Sequence, residues 1–341
     1  MPDMVLLSQR LLPKFALLTI VLLYVVVLAG SIVRATGSGM GCPDWPRCYG
    51  RLIPPTSSDE IDFRRLDPAR FERSWASHGR TSTVVTEETL RENFSAKETW
   101  IEFINRCLGA ISGLAALVTF VLAVIARRRD SPLMLLLTVQ MVLFAAVAWM
   151  GKVVVDTNLL PWMITVHMML AAGLIATALL VRYRVAPACA LPVKASLRRH
   201  ILLSLILILM QTVIGTQVRE MVDNLPAGGC CDGRLEDRLG TPMVWHRVGA
   251  ILTLTAVAIL FFRLKFRPAC DAAAPALITL MGLLVAIEYG VGVLLIRADL
   301  PAFLQPVHLF IAFLLFGMVL TLLLRSRLQN DEPAPKVAFH E

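Results

Sequence analysis

The chain has 341 residues, of which 57% are hydrophobic and only 17% are charged. A soluble protein of this composition would have too little polar surface, so the balance excludes a soluble globular protein and indicates a membrane protein. The formal net charge of +8 at pH 7 is attributed to membrane topology and attraction to lipid headgroups, because no basic patch with interleaved aromatic residues indicates nucleic-acid binding.

Eight apolar stretches follow one another along the chain, and each is long enough, or nearly so, to cross a bilayer as a helix. They cover residues 15–33, 104–126, 133–150, 162–181, 201–218, 248–262, 276–296 and 303–324. The sixth stretch is the shortest, and it reaches spanning length when residues 244–247 are added to it. The sequence therefore predicts an all-α membrane protein with eight transmembrane helices.

The short loops between these stretches place their basic residues on one side of the membrane. These residues are Arg10, Lys14, Arg127, Arg128, Arg129, Arg182, Arg184, Lys194, Arg198, Arg199, Arg263, Lys265, Arg267, Arg325 and Arg327. Since loops rich in Lys and Arg stay in the cytoplasm, both termini are predicted to be cytoplasmic. The lack of an Arg- and Ser-rich leader favours the bacterial cytoplasmic membrane over an organellar one.

One long loop, at residues 34–100, lies on the predicted outer side. It contains Cys42 and Cys48 within the sequence Gly-Cys-Pro-Asp-Trp-Pro-Arg-Cys. The outer side of such a membrane is oxidising, so these two cysteines are expected to form a disulfide that fixes the loop. A redox-active role for the pair is the alternative.

The chain contains an internal repeat, a recurring architecture of membrane proteins. The first span ends with the pattern Gly-x-x-Val-Arg at residues 30–34, and the fifth span ends with the same pattern at residues 215–219. Each half has an even number of spans, so the two halves run through the membrane in the same direction. We predict two four-helix halves, residues 1–185 and 186–341, as two tandem bundles related by a pseudo-twofold axis along the membrane normal.

Polar residues near the outer ends of four spans follow the same repeat. Asn105 and His246 open the second and sixth spans, and His167 and His308 open the fourth and eighth. Both pairs are separated by 141 positions (246 − 105 and 308 − 167), and two such coincidences are not expected by chance. The halves are therefore predicted to carry two equivalent pockets, each between two helices.

His246 and His308 form the pocket that is predicted to contain two good ligands for iron. Two imidazoles on facing helices of a bundle are able to bind one haem iron from opposite sides, and apolar helix walls suit the porphyrin. The alternative is that each histidine is satisfied by local contacts near the membrane interface. Haem ligation is preferred because the pair recurs in register, and the lack of a Cys-x-x-Cys-His motif excludes the usual covalent attachment.

The first half breaks the symmetry. Asn105 replaces a histidine, and an amide oxygen is a poor ligand for iron, so His167 is the one good ligand there. Glu102 lies one turn before Asn105 on the same helix face, whereas its counterpart at the 141 offset is Met243. We infer that the second pocket holds an electron-transfer haem. A substrate is then bound and changed in the first pocket, with Glu102, Asn105 and His167 as the catalytic residues.

Charged residues also lie at the level of these pockets or inside a span. Arg106 and Arg247 adjoin ligand positions, and they either bind haem propionates or anchor the helices at the interface. Glu288 lies within the seventh span, where a carboxylate is costly, and it must face the bundle interior. Both a proton relay and a simple hydrogen bond are compatible with its position.

At these residues the chain resembles the haem A synthase family over nearly its whole length. The strongest part of the resemblance is the segment 34–48, Arg-Ala-Thr-Gly-Ser-Gly-Met-Gly-Cys-Pro-Asp-Trp-Pro-Arg-Cys, which is similar to the family's first outer-loop signature. Supporting motifs stand at residues 102–106, 166–167, 215–219, 246–247 and 307–308. The resemblance implies that haem O is oxidised at a ring methyl to a formyl group by successive hydroxylations, with a b-type haem (iron protoporphyrin IX) as cofactor.

The resemblance also implies roles for single residues. His246 and His308 would hold the cofactor haem, and the N-terminal half would hold the substrate. Glu102 and His167 match a glutamate and a histidine of the family. Asn105 stands where the family commonly has histidine. Either a variant subgroup makes haem A with one axial ligand, which we prefer, or a haem-binding relative has lost catalysis.

Two other functions are compatible with the sequence, namely a b-type haem electron carrier and a haem transporter or chaperone without catalysis. An acid in one pocket only favours the enzyme, because electron transfer alone has no use for it. The expected partners are haem O and membrane lipid. Haem O synthase and cytochrome oxidase assembly factors are candidate protein partners, and a homo-oligomer is compatible with the sequence.

Overall fold

The computed structural model describes residues 2–42, 44–67, 86–126, 130–156, 162–223, 235–267, 271–298 and 300–328. Its α-helices and strands are α1 (Pro2–Ala35), α2 (Glu87–Glu92), α3 (Ala96–Ile125), α4 (Ser131–Asp156), α5 (Met163–Val185), β1 (Leu191–Val193), α6 (Ala195–Asp223), α7 (Leu235–Lys265), α8 (Ala273–Arg297), α9 (Leu304–Arg325) and β2 (Ser326–Leu328). Within these ranges, eight helices, all but α2, are long and apolar enough to cross a membrane. The predicted all-α fold with eight transmembrane helices is confirmed.

Two of the spanning helices that carry predicted site residues, α3 and α7, begin well before their apolar stretches. α3 begins at Ala96 because the Ser95 side chain accepts a hydrogen bond from the backbone N–H of Glu98 and so caps the first turn. α7 is broken at Gly240, whose φ of 54° suits glycine and which Pro242 closely follows, and the helix after the break, residues 241–265, is long enough to cross a bilayer. Both helices therefore carry their site residues inside the helix, after more than one complete turn.

The helices pack in a pattern that repeats between the halves. In the first half α1 lies along α3 and α4 lies along α5, while in the second half α6 lies along α7 and α8 along α9. The halves meet where α1 packs on α9 and where α5 packs on α6 and α9. Hydrogen bonds cross this interface from Tyr24 Oη to the Phe313 carbonyl (3.4 Å) and between the hydroxyls of Thr165 and Thr216 (2.8 Å). This packing fits the predicted tandem arrangement.

Arg325, at the end of α9, connects this helix to the start of α8 and to the linker between the halves. Its buried guanidinium donates to both carboxylate oxygens of Asp271 at 2.7 Å and to the carbonyl of Cys189 at 3.1 Å. Beside it, β1 pairs in parallel with β2. These contacts join the linker between the halves to the start of α8 and the end of α9. The hydrogen bonds from Arg325 hold the pKa of Asp271 below its usual range.

Removing the Asp271 carboxylate is expected to lower the melting temperature of the solubilised protein at neutral pH. Asp271→Asn leaves the buried Arg325 without its anion, whereas Asp130→Asn removes only an exposed pair, in which the Asp130 and Arg184 atoms are 4.0 Å apart. Because the pKa of Asp271 is lowered by folding, the wild-type advantage should be present at neutral pH and vanish as the pH falls through that lowered pKa. Melting curves test this, and equal melting temperatures for the two variants at neutral pH would contradict it.

Candidate functional site

His246 of α7 and His308 of α9 lie side by side in the second half. Their ring centroids are 6.5 Å apart, and the angle between the ring planes is 75°. The structure thus brings together two imidazoles from two spanning helices. Each ring also rests on a third element, the helix that precedes its own helix in the chain.

The His246 ring lies against α6. The side-chain amide nitrogen of Gln211 is 3.0 Å from His246 Nδ1 and donates to the His246 carbonyl at 2.8 Å. One turn further along α6, a Cβ at Gly215 would stand only 3.2 Å from His246 Cε1. The amide oxygen of Gln211 is buried without a hydrogen-bond partner among the described residues. The ring is therefore seated between a polar side chain and a glycine that leaves it room.

The His308 ring is seated on α8 in the same way. Its Nδ1 is 3.0 Å from Oε1 of Glu288. The ring N–H is not aimed straight at that oxygen, so this is a close polar contact and not a well-aligned hydrogen bond. One turn along α8, a Cβ at Gly292 would stand 3.3 Å from His308 Cε1. Glu288 therefore faces the bundle interior, as expected of a carboxylate inside a span.

The first half has glycines at the equivalent places. A Cβ at Gly30 of α1 would be 3.7 Å from Asn105 Oδ1, and one at Gly151 of α4 would be 3.7 Å from His167 Cε1. Asn105 Oδ1 and His167 Nδ1 are both buried, and across the described ranges neither atom has a hydrogen-bond partner. Since buried polar atoms are normally paired, these two side chains are available to a ligand.

Glu102 fastens the first outer loop onto α3. Its Oε2 accepts a hydrogen bond from the backbone N–H of Cys42 at 2.6 Å, and its Oε1 is bound by Arg106, one turn later on α3. Arg106 also donates to the Cys42 carbonyl at 2.6 Å and to the Arg47 carbonyl at 3.3 Å. The predicted disulfide between Cys42 and Cys48 is confirmed. Glu102 is only 4% exposed, and both of its carboxylate oxygens are engaged.

The sequence matches a known family across almost the whole chain. Residues 13–320 match the family described as cytochrome oxidase assembly protein. The chain belongs to that family. It is similar to proteins named haem A synthase from Shewanella oneidensis (24% identical over 326 residues, 85% of this chain and 89% of the relative) and Wolbachia pipientis (24% over 343 residues, 92% of each). A third, from Ehrlichia canis, is 27% identical over 326 residues, 86% of each chain. The resemblance to haem A synthases is confirmed.

In this member of the cytochrome oxidase assembly protein family, four arginines lie at the same end of the bundle as the histidines. Arg34 and Arg219 both bind Asp223, at 2.8 and 2.7 Å, and so join α1 to α6. Arg106 holds the first outer loop through its hydrogen bonds to two backbone carbonyls. Binding of haem propionates by Arg106 and Arg247 stays a prediction.

Three residues that lie against the histidines in this family member, Gly151, Gly292 and Gln211, carry no motif that marks them in the sequence. The repeat does contain a signal, since Gly151 and Gly292 are separated by the same 141 positions as the ligand pairs. Gln211 and Glu288 each precede a glycine by four positions, a spacing that puts both members on one helix face. Their contact with the histidines depends on how the helices pack, which no local pattern encodes.

Proposed function

We propose that this protein is a haem A synthase, which oxidises a ring methyl of haem O to a formyl group by successive hydroxylations. Family membership over residues 13–320 and the relatives that carry this name support the proposal. The observation that carries it is a repeated placement of unequal polar side chains beside glycines of neighbouring helices. The second half presents His246 and His308, and the first half presents Asn105 and His167 at the equivalent positions.

The residues of the second half fit a haem b cofactor. An imidazole nitrogen binds a metal at about 2 Å and lies about 1 Å from its ring centre, so two rings on opposite faces of one iron have centres about 6 Å apart. The centroids of His246 and His308 are 6.5 Å apart. Held by both histidines, the bound group would supply electron transfer. The two histidines would hold it between α7 and α9.

The first half is proposed to bind haem O as substrate. His167 would hold its iron, and Asn105 would leave the other face weakly ligated. The buried Oδ1 of Asn105, which has no hydrogen-bond partner among the described residues, supports a ligand at this place. Glu102 and Arg106 would keep the Cys42 segment docked over this half and so exclude water from the reacting methyl group. Glu102, Asn105 and His167 are the proposed catalytic residues.

We place both haem sites on the outer side of a bacterial cytoplasmic membrane, with both termini in the cytoplasm. Arg182, Arg263 and Arg325 stand in the last turns of helices that carry their histidines near the other end, which supports this orientation. Residues 1–185 would form the substrate half and residues 186–341 the cofactor half. Haem O synthase and cytochrome oxidase assembly factors are the candidate protein partners.

The two alternative functions fit the chain less well. Met243 stands at the position equivalent to Glu102, so the second half has no acid at that place, and its own acid, Glu288, lies beside His308 instead. A plain electron carrier has no use for an acid at the Glu102 position of one half only. A transporter is expected to have broken helices at corresponding positions in both halves. α7 is broken at Gly240, whereas its counterpart α3 runs as one helix from Ala96 to Ile125.

Co-expression with a haem O synthase, in a host that lacks haem A, tests the proposed function. The haems are extracted with acidic organic solvent and separated by chromatography. We expect haem A in cells that carry both proteins and only haem O and haem B in cells that carry the haem O synthase alone. If cells with both proteins also contain only haem O and haem B, the synthase proposal is wrong.

A further inference from the structure

The two halves differ in the residue that lies one helical turn before each glycine that contacts a histidine or Asn105. In the second half the pairs are Gln211 with Gly215 and Glu288 with Gly292, and both polar side chains reach the Nδ1 atom of a histidine. In the first half the corresponding pairs are residues 26 and 30 and residues 147 and 151, in which valine precedes the glycine. All four glycines are kept, so the difference lies in the polar residues alone.

The position of the polar residue decides which nitrogen of the imidazole is left for a metal. A neutral imidazole has one N–H and one free lone pair. A carboxylate can only accept a hydrogen bond, so Glu288 beside Nδ1 of His308 favours the proton on Nδ1 and leaves the lone pair of Nε2 for iron. Such a partner also fixes the ring orientation and makes the imidazole a stronger ligand.

Gln211 is the neutral counterpart of Glu288. Its amide group lies 3.0 Å from His246 Nδ1, and its buried oxygen has no hydrogen-bond partner in the described part of the chain. The same amide nitrogen donates to the His246 carbonyl at 2.8 Å, so Gln211 orients the His246 ring as a neutral donor, whereas the carboxylate of Glu288 can only accept. The second pocket therefore has one anionic and one neutral partner for its two imidazoles. His167 lacks both kinds in that same part of the chain, since its Nδ1 has neither a hydrogen-bond nor an ion-pair partner there and Val147 stands at the position equivalent to Glu288.

We propose that Glu288, assisted by Gln211, is the positioning residue that retains the haem of the second half and sets its potential. Valines stand at the equivalent places in the first half and offer no hydrogen-bonding group. The haem of the first half is therefore held less firmly and exchanges. This inference rests on the proposed function, because it assumes haem in both halves. It gives the intramembrane carboxylate a specific task, namely to orient His308.

Two substitutions of Glu288 separate its role in orienting the His308 ring from the effect of its negative charge. Glu288→Val copies the first half and is expected to speed haem loss from the second half by about 10- to 100-fold, the usual cost of removing such a partner. Glu288→Gln places the same residue type beside His308 that Gln211 provides beside His246, and this variant should retain haem better than the valine variant. Both variants are expected to raise the midpoint potential, because a negative charge next to the ligand favours the oxidised iron.

The rate of haem transfer to excess apomyoglobin, together with a redox titration of the remaining haem, provides the test. Gln140→Val serves as the control, because Gln140 is a buried amide about 16 Å along α4 from Gly151, and it should behave as wild type. In protein loaded with haem O, wild type should lose haem in a fast and a slow phase. Val147→Gln should slow the fast phase.

The outcomes distinguish this inference from the function on which it rests. A wild-type protein that binds no haem refutes the proposed function. A wild-type protein with low-spin haem, whose Glu288→Val variant shows the same transfer rate and potential, refutes only the role of Glu288. A fast phase that Val147→Gln leaves unchanged refutes the proposed contrast between the halves.

Discussion

Replacement of His308 by alanine is expected to abolish the low-spin haem spectrum of the purified protein. The variant keeps His246 but removes the second imidazole from a pocket in which the ring centroids are 6.5 Å apart. It also leaves the Glu288 carboxylate facing the pocket with no imidazole beside it, which adds the cost of an unpaired buried group. Any haem that remains should be five-coordinate, because an iron with one axial imidazole has an open position.

His200→Ala is the matched control for this variant. His200 lies on α6, and its Nε2 is 2.8 Å from the Ala256 carbonyl of α7, about 16 Å along α6 from Gln211. This variant also removes an imidazole between two spanning helices, but it should leave the spectrum intact. Optical and electron paramagnetic resonance spectra of the two purified variants provide the measurement. A low-spin spectrum that persists in His308→Ala would show that the pocket is wrongly assigned.

Glu102→Ala is expected to keep the haem spectrum of the second half and to lose haem A formation by about 100-fold or more, if the carboxylate takes part in the chemistry. Its two oxygens hold the Cys42 N–H and Arg106, so the substitution also leaves a buried donor without its acceptor and a partly buried arginine without its carboxylate. That loss alone would loosen the loop by roughly 1–3 kcal/mol. The assay is haem A production during co-expression with haem O synthase.

Two further variants separate the chemistry of Glu102 from its hold on the loop. Glu102→Gln keeps an oxygen for the Cys42 N–H but removes the charge, and it should also be inactive if the acid is required. The double variant Cys42→Ser and Cys48→Ser keeps the acid but removes the disulfide that shapes the loop. Production of haem A at the wild-type level by Glu102→Ala would contradict both roles.

The spans and the repeat could be predicted from the sequence because they depend on composition and spacing, which are local or periodic properties. The eight apolar stretches appear as eight helices, and the 141-residue offset identifies both Gly151 and Gly292 once it is applied to glycines. The helix ends could not be predicted as well. The Ser95 cap places the start of α3 before its apolar core, and the positive φ of Gly240 breaks α7 before its own apolar core.

The part of the site that escaped prediction consists of contacts between distant segments. Glu102 was recognised as an acid near the first pocket, but its bond to the Cys42 backbone links positions 60 residues apart. Likewise, Glu288 was expected to face inward, while its approach to Nδ1 of His308 depends on the packing of α8 on α9. Such contacts are set by tertiary packing, and a single sequence does not specify the partner.

Near-infrared magnetic circular dichroism of the oxidised wild-type protein tests most directly whether His246 and His308 bind the same haem iron. The technique reports the two axial ligands of a low-spin haem. Protein made with ample porphyrin supply and without haem O is expected to give the band of a haem ligated by two histidines. Colourless protein, or a high-spin haem with a single axial histidine, would contradict that assignment.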